Sequence, residues 1–491
     1  MRINNYISAI YVVCAFLLTS CSGSPVTTEI AGKSPVIFPD YKDVTIPVEI
    51  APLNFRVETD YARMDVVFEG SMSGSLRVGG NRETTRIPEK AWRRLLEANR
   101  GGDLRVSVST KKNGRRTQYE PFLIHISPHQ IDYGIAYRLI APGYEVFSKM
   151  GIYERSLADF RQQPVIENTL LTGTCMNCHS FREGDPSQMS LHIRGAHGGT
   201  IISRDGELAL YDTKTDSTVS NCVYPYWHPS GRFVAYSVNE TRQVFHARRD
   251  KRIEVVDVSS DVVVFDAKTG ELLSCPQLKS GGSFETFPAF SPDGKSLYFC
   301  SAEAKDIPGE YSEVRYNLCR IAFDSEAGGS FGVSVDTLVN ASTSGKSVSF
   351  PRPSYDGRFL IYTLSDYGNF SIWHEEADLW LLDLATDESR PLAEINSSDT
   401  ESYHSWSSNS RWLVFSSRRI DGLYTRPFIA AIDEQGRASK PFLLPQRTPS
   451  YYDETLFSFN VPEFITAPVK ANISVMEKKI VSSERRRMNF R

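Results

Sequence analysis

Residues 173–181 read GTCMNCHSF, with two cysteines separated by two residues and a histidine directly after the second. These types at this spacing suit one chemistry above others. Two thiols can add to the two vinyl groups of a haem, and the adjacent histidine is then held under the iron as proximal ligand. On that reading Cys175 and Cys178 are the thioether positions, His179 is the axial ligand and haem c is the cofactor. The alternatives are zinc at the same residues, or no ligand. A four-cysteine zinc ribbon finds no support, because Cys222, Cys275, Cys300 and Cys319 contain no second CxxC.

A haem iron has a second axial position, for which Met189, His192 and His197 in QMSLHIRGAHGG are the nearby candidates. A methionine thioether raises the reduction potential relative to bis-histidine ligation. On a strand Met189 and His192 lean to opposite faces, so only one can face an iron, and His192 is preferred. The plainer roles are core filling for Met189 and hydrogen bonding in a glycine-rich turn for His192 and His197. A five-coordinate haem with an open face would instead suit peroxide chemistry.

Haem attachment through thioethers takes place outside the cytoplasm, so the N-terminus matters. Met1–Ser20 carries one charge, Arg2, and an apolar run from Tyr6 to Leu18. That run falls short of the ~20 apolar residues of a spanning helix but suits the h-region of a secretory signal. The ending LLTSC resembles a bacterial lipoprotein cleavage box, which implies removal of residues 1–20, lipidation of Cys21 and a membrane contact through that anchor. Ser22 after the cysteine, by the same resemblance, favours the outer membrane, on its periplasmic side or at the surface. An uncleaved single-span anchor is the alternative. The formal net charge of −4 argues against a nucleic-acid partner.

What must position the motif is a repeat. YPYWHPSGRFVAYS from Tyr224, FPAFSPDGKSLYFC from Phe287, FPRPSYDGRFLIYT from Phe350 and the run from Tyr403 align without gaps. Gly231, Gly294 and Gly357 are spaced by 63 residues, and Ser410 takes the place 53 further on. Each unit has an aromatic start, a turn in which Ser and Asp can bond backbone amides while Gly takes a positive φ, and an apolar strand. His228, in place of Ser291, is read as a turn cap. A second strand and turn recur in VVVFDAKTGEL and LWLLDLATDES, and ELALYDTKTDS from Glu207 marks a fifth unit upstream. Tandem strand-rich units of this size bury their faces by radial stacking.

These repeats resemble the TolB-like propeller repeat. The fold class is therefore all-β, a β-propeller of five or six blades over residues 160–470, a sixth blade being closed around SFNVPEF at 458–464. CxxCH falls at the entrance of the first blade, near one mouth of the central channel. Residues 41–150 alternate apolar with polar residues between glycine-rich turns and read as a small β-sandwich, with one helix in IPEKAWRRLLEANRGG. Residues 21–40 read as a linker and 471–491 as a basic, solvated tail. Cys300 holds the place of Ser237, Thr363 and Ser416, so it reads as a small strand residue, with a Cys300–Cys319 disulfide across neighbouring strands as the alternative. The cluster WHEEADLW, with His374, Glu375, Glu376 and Asp378, reads as a solvated loop. No phosphate loop, HExxH or GxSxG elbow is present.

YRLIAPGYEVFSKMGIYERSL followed by CMNCHSF and HIRGAHGGT resembles Gram-negative lipoproteins that join a TolB-like propeller to a CxxCH motif. That resemblance implies haem attachment at Cys175, Cys178 and His179. Three functions follow as expectations: a lipid-anchored haem c protein exchanging electrons with a protein docked on the propeller face; a non-redox envelope scaffold whose CxxCH holds zinc or nothing; and a haem- or propeller-based enzyme.

Overall fold

The computed structural model describes residues 27–141, 149–170, 173–195, 197–204, 206–246, 252–470, 473–482 and 484–491. The expected signal segment and Cys21 lie outside the described residues. Six sheets, four of four strands and two of five, form the blades of a β-propeller, numbered here in chain order. Blade 1 takes Gly134–Ile140, Gly151–Ser156 and Gln162–Glu167, and its innermost strand, Ser458–Ile465, comes from the far end of the chain. It pairs antiparallel with Gly134–Ile140 and closes the ring. Gly134–Ile140 and Gly151–Ser156 thus belong to the propeller, which begins before residue 150. They went unrecognised because their innermost partner, and with it the aromatic signature, lies 300 residues away.

Blades 2 to 6 start at Thr174, Cys222, Ser283, Ser347 and Glu401 and run outward strand by strand. The motif CxxCH therefore lies on an innermost strand, Thr174–Arg182 of blade 2, rather than at the entrance of blade 1. The turns follow the sequence. Gly294 has φ +70°, Ser296 N–H donates to Ser291 Oγ at 3.0 Å and Lys295 N–H to Asp293 Oδ1 at 3.0 Å. His228 caps its own turn through Ser230 N–H at 3.1 Å, and its Nε2–H donates to the Gly294 carbonyl of the next blade at 3.0 Å.

The strands of the N-terminal unit join one seven-stranded sheet, accompanied by a two-stranded ribbon, Ile37–Phe38 with Arg56–Val57. The helix Glu89–Glu97 packs on that sheet through Trp92, whose ring meets Phe68 edge-on at 5.4 Å. Thr27–Ile30 is an edge strand parallel to Arg115–Gln118, so the segment expected as linker contributes to the sheet. One hydrophobic cluster runs from Trp92 and Val106 through Tyr137 to Leu381 and Trp412, joining the unit to blades 1, 5 and 6.

The expected solvated tail is also structured. Ile473–Val481 is a helix that buries Met476 and Ile480, and Arg486–Arg487 and Asn489–Phe490 add in parallel to the outer edges of blades 2 and 3. Apolar residues spaced four apart inside a basic segment give it one adhesive face. Cys300 stands opposite Leu318, and Cys319 opposite Phe299, so the two thiols project from opposite faces of blade 4. Both are free, and the disulfide alternative is set aside on register.

Candidate functional site at the upper mouth of the channel

Every innermost strand carries a bulge at the same level. The register breaks between Asn177 and His179, Val223 and Tyr226, Thr286 and Ala289, Ser349 and Arg352, and Ser402 and Ser405, and opposite Ala136–Arg138 in blade 1. At each break one non-glycine residue is left-handed: Cys178 (φ 46°), Tyr224 (50°), Phe287 (49°), Phe350 (53°), Tyr403 (48°) and Val461 (51°). Such residues cost roughly 1–3 kcal/mol each and are kept only where packing over-determines them. Here the packing is an aromatic layer across the channel, with ring centroids 4.7 Å apart for Tyr224–Phe287, 4.0 Å for Phe287–Phe350 and 4.8 Å for Phe350–Tyr403. Cys178 and Val461 are the two positions in this ring that lack an aromatic side chain, and Cys178 puts a small polarizable one there.

The layer separates a lower pocket of about 60 Å³ from an upper chamber of about 290 Å³. Residues three apart on a regular strand point to opposite faces. The extra residue at the bulge reverses this, and Cys175 and Cys178 both line the upper chamber, Cys175 half-buried and Cys178 buried. Burial pushes the Cys178 thiol above its ordinary range. His179 borders both the chamber and the lower pocket, 3% exposed, against the Ala136 backbone of blade 1, and its Nε2 is buried without a hydrogen-bond partner. Burial first, and then the Arg138 charge, push the imidazole down to about 3, so it is neutral at physiological pH.

The candidates for a second axial ligand lie off the chamber. Met189 packs in the core between blades 1 and 2. His192 is buried on the other face of its strand, with Nδ1 3.0 Å from Thr200 Oγ1, and burial pushes it down to about 3. His197 sits half-buried in the turn that follows. Met189 and His192 thus take opposite faces as the strand period requires, and neither faces the chamber. Among the described residues no three His, Cys, Asp or Glu side chains converge as a metal ion needs.

Sequence reasoning missed the rest of the chamber. Arg138, Arg194, Arg352 and Arg418 line it, and none of its described lining residues is Asp or Glu. The one signal was a lone arginine inside apolar strands such as IAYRLI. A long hairpin, Phe233–Phe245 with Ile253–Asp266, extends past blade 3 and lends Asn239, Thr241, Gln243, Ile253 and Val255 to the chamber wall. Two buried carboxylates hold this arm. Asp257 accepts from Asn239 Nδ2 (3.0 Å), Tyr316 Oη (3.0 Å) and Asn369 Nδ2 (2.5 Å), and burial raises it to about 6. Glu254 accepts from Tyr367 Oη at 2.5 Å and pairs with His374 Nε2 at 3.1 Å. His374 is 2% exposed, so WHEEADLW is a buried anchor rather than a solvated loop.

No protein-family model matches the chain, and no curated protein matches it. Solved structures with a similar course include a puromycin-hydrolyzing peptidase of Mycobacterium tuberculosis (15% identity, TM-score 0.36, 82% of this chain and 57% of that one). Prolyl oligopeptidase B of Galerina marginata is similar at 11% identity and TM-score 0.34, over 62% of this chain and 44% of that one. A periplasmic gluconolactonase of Pseudomonas aeruginosa is similar at 14% identity and TM-score 0.33, over 64% of this chain and 97% of that one. The chain spans about half the length of the two peptidases. The propeller stands on its own sheet topology, and no activity is carried over from these proteins.

Proposed function

We propose that this chain is a cell-envelope β-propeller, tethered by a lipid on Cys21, that carries a c-type haem in its upper chamber and exchanges electrons with a protein docked over that mouth. The observation that supports it is the bulge at Cys178, which turns two thiols three residues apart into one chamber beside a buried, neutral histidine. The donor set fits the group: Cys175 and Cys178 supply the thioether positions, and His179 an imidazole nitrogen with no other partner. Haem bound there supplies one-electron chemistry. The chain holds the imidazole in its neutral, ligating form, and the aromatic layer beneath keeps the chamber closed from below.

One observation favours the scaffold reading. His404 occupies the same place in blade 6 as His179 in blade 2, with no cysteine pair near it, and its Nε2–H donates to the Ile361 carbonyl of the preceding blade at 3.0 Å. A histidine at this level of a blade can therefore pack between blades without any cofactor. The two readings part on one measurement. The mature protein is made in cells that mature a control cytochrome, then examined by denaturing haem stain and reduced pyridine haemochrome spectrum beside a Cys175→Ala, Cys178→Ala control. Covalent haem absent from the control supports the redox reading, and a colourless wild-type protein refutes it.

A further inference from the structure

We propose that the upper chamber is an anion seat in which Arg138, Arg194 and Arg418 hold the carboxylate of a small ligand. This seat depends on the guanidinium groups alone, whether or not the cysteines carry anything. Arg418 is 2% exposed and, like Arg138 and Arg194, makes no ion pair within 4.0 Å among the described residues. Its Nη atoms reach only the backbone carbonyls of Ile372, at 3.5 Å, and Gly422, and its guanidinium lies over Trp373 at 4.2 Å. The charges it feels most are Asp399 and then the cation Arg252, followed by Asp421 and Glu375, and the three carboxylates act from beyond ion-pairing distance. Arg138 donates to the neutral Asn177 side chain. The Nε atoms of both Arg138 and Arg418 are buried without a partner.

A buried guanidinium with no counter-charge and an unmet N–H is costly, and native proteins keep few such groups. Arg419, next in sequence, has the ordinary solution, a buried Glu401 carboxylate at 2.8 Å. Around the chamber the cations converge and no described lining residue supplies a carboxylate, so we assign that role to the ligand. A planar guanidinium matches a carboxylate through two parallel N–H···O bonds. A volume of about 290 Å³, near the lower end of ordinary ligand pockets, suits a small molecule. Tyr224, Tyr403, Trp373 and Phe370 offer apolar surface to its body. The carboxylate has two sources: the propionates of a haem held at Cys175 and Cys178, or a free small organic acid.

The test uses full-length mature protein with Cys175→Ser and Cys178→Ser, so that binding is reversible. Two matched pairs of probes are titrated: benzoate against benzamide, followed by calorimetry and Trp373 fluorescence with Trp373→Phe as reference, and haemin against haemin dimethyl ester, followed by the Soret band. In at least one pair the acid is expected to bind tenfold or more tightly than its uncharged analogue, and to lose that preference in Arg138→Gln and Arg418→Gln. Preference in the benzoate pair assigns a free acid, and preference confined to haemin assigns the propionates. Arg194→Gln, at the exposed rim, repeats the test should a buried variant fail to fold. Equal binding of acid and analogue in both pairs, or a preference that survives the arginine changes, overturns the proposal.

Discussion

Raising the pH should loosen the arm that walls the upper chamber, and the size of the effect follows from His374. Burial opposes its charge, but hydrogen bonds to Glu254 and Glu376 prevail and lift it from 6.5 to about 9. A group whose folded value is raised lends stability that is complete below 6.5 and is lost as pH climbs through 9. At 1.36 kcal/mol per unit the contribution is about 3 kcal/mol. A chain of this length unfolds with an entropy of roughly 1 kcal/mol/K, so the same quantity amounts to about 3 °C in Tm. The assay is thermal unfolding of the wild type and His374→Gln from pH 6.5 to 9.5. The variant loses packing at every pH, which is a constant offset. The expected result is a Tm gap that narrows by about 3 °C across that range. A gap that stays constant would show that His374 is not charged in the folded protein and would refute the account of the arm's anchor.

Two further predictions rest on local geometry. Gly294→Ala places a Cβ 2.3 Å from His228 Nε2 at φ +70°, whereas Gly357→Ala, at φ +71°, meets nothing within 4 Å. Both should lower stability by about 1–3 kcal/mol for the left-handed backbone, with an additional loss in Gly294→Ala, and equal urea midpoints would deny the inter-blade role of His228. Ending the chain at Lys470 removes the buried Met476, Ile480 and Met488. At ~1.5–3 kcal/mol per buried side chain the loss is roughly 5 kcal/mol, read as a lower Tm with more light scattering, and an unchanged melting curve would make the tail dispensable.

The propeller was legible because its turns are chemically specific: Ser, Asp and Gly at fixed offsets have few other uses. The level of the bulge was also written in the sequence and was overlooked. Cys178-His179-Ser180-Phe181 repeats Tyr403-His404-Ser405-Trp406, and with it the Tyr-Pro, Phe-Pro and Val-Pro pairs at Tyr224, Phe287, Phe350 and Val461. The cysteines drew the eye to chemistry and away from the repeat they belong to. Blade 1 was hidden for another reason: Gly134–Ile140 is an ordinary, mostly buried strand whose identity depends on a partner from the other end of the chain. The arginines of the chamber left only a faint trace, a lone cation within an apolar strand as at Arg138, and nothing local says whether such a cation faces a cavity or water. The arm's anchor was misjudged because a cluster of charges reads as solvent-facing until its partners, here Glu254 and Tyr367, are known to be buried with it.

The closure of blade 1 by Ser458–Ile465 also sets an order of events. The last channel strand is made some 280 residues after Cys178, so while the chain emerges the ring is a horseshoe with a gap beside blade 2. Pairing over such a separation is slow compared with local hairpins. During that interval the thiol of Cys178 faces an open groove. Once Val461 takes its place beside it, the same thiol lies 6% exposed among aromatic rings. Whatever is to be joined to Cys178 therefore has a deadline, fixed by the arrival of eight residues near the C-terminus.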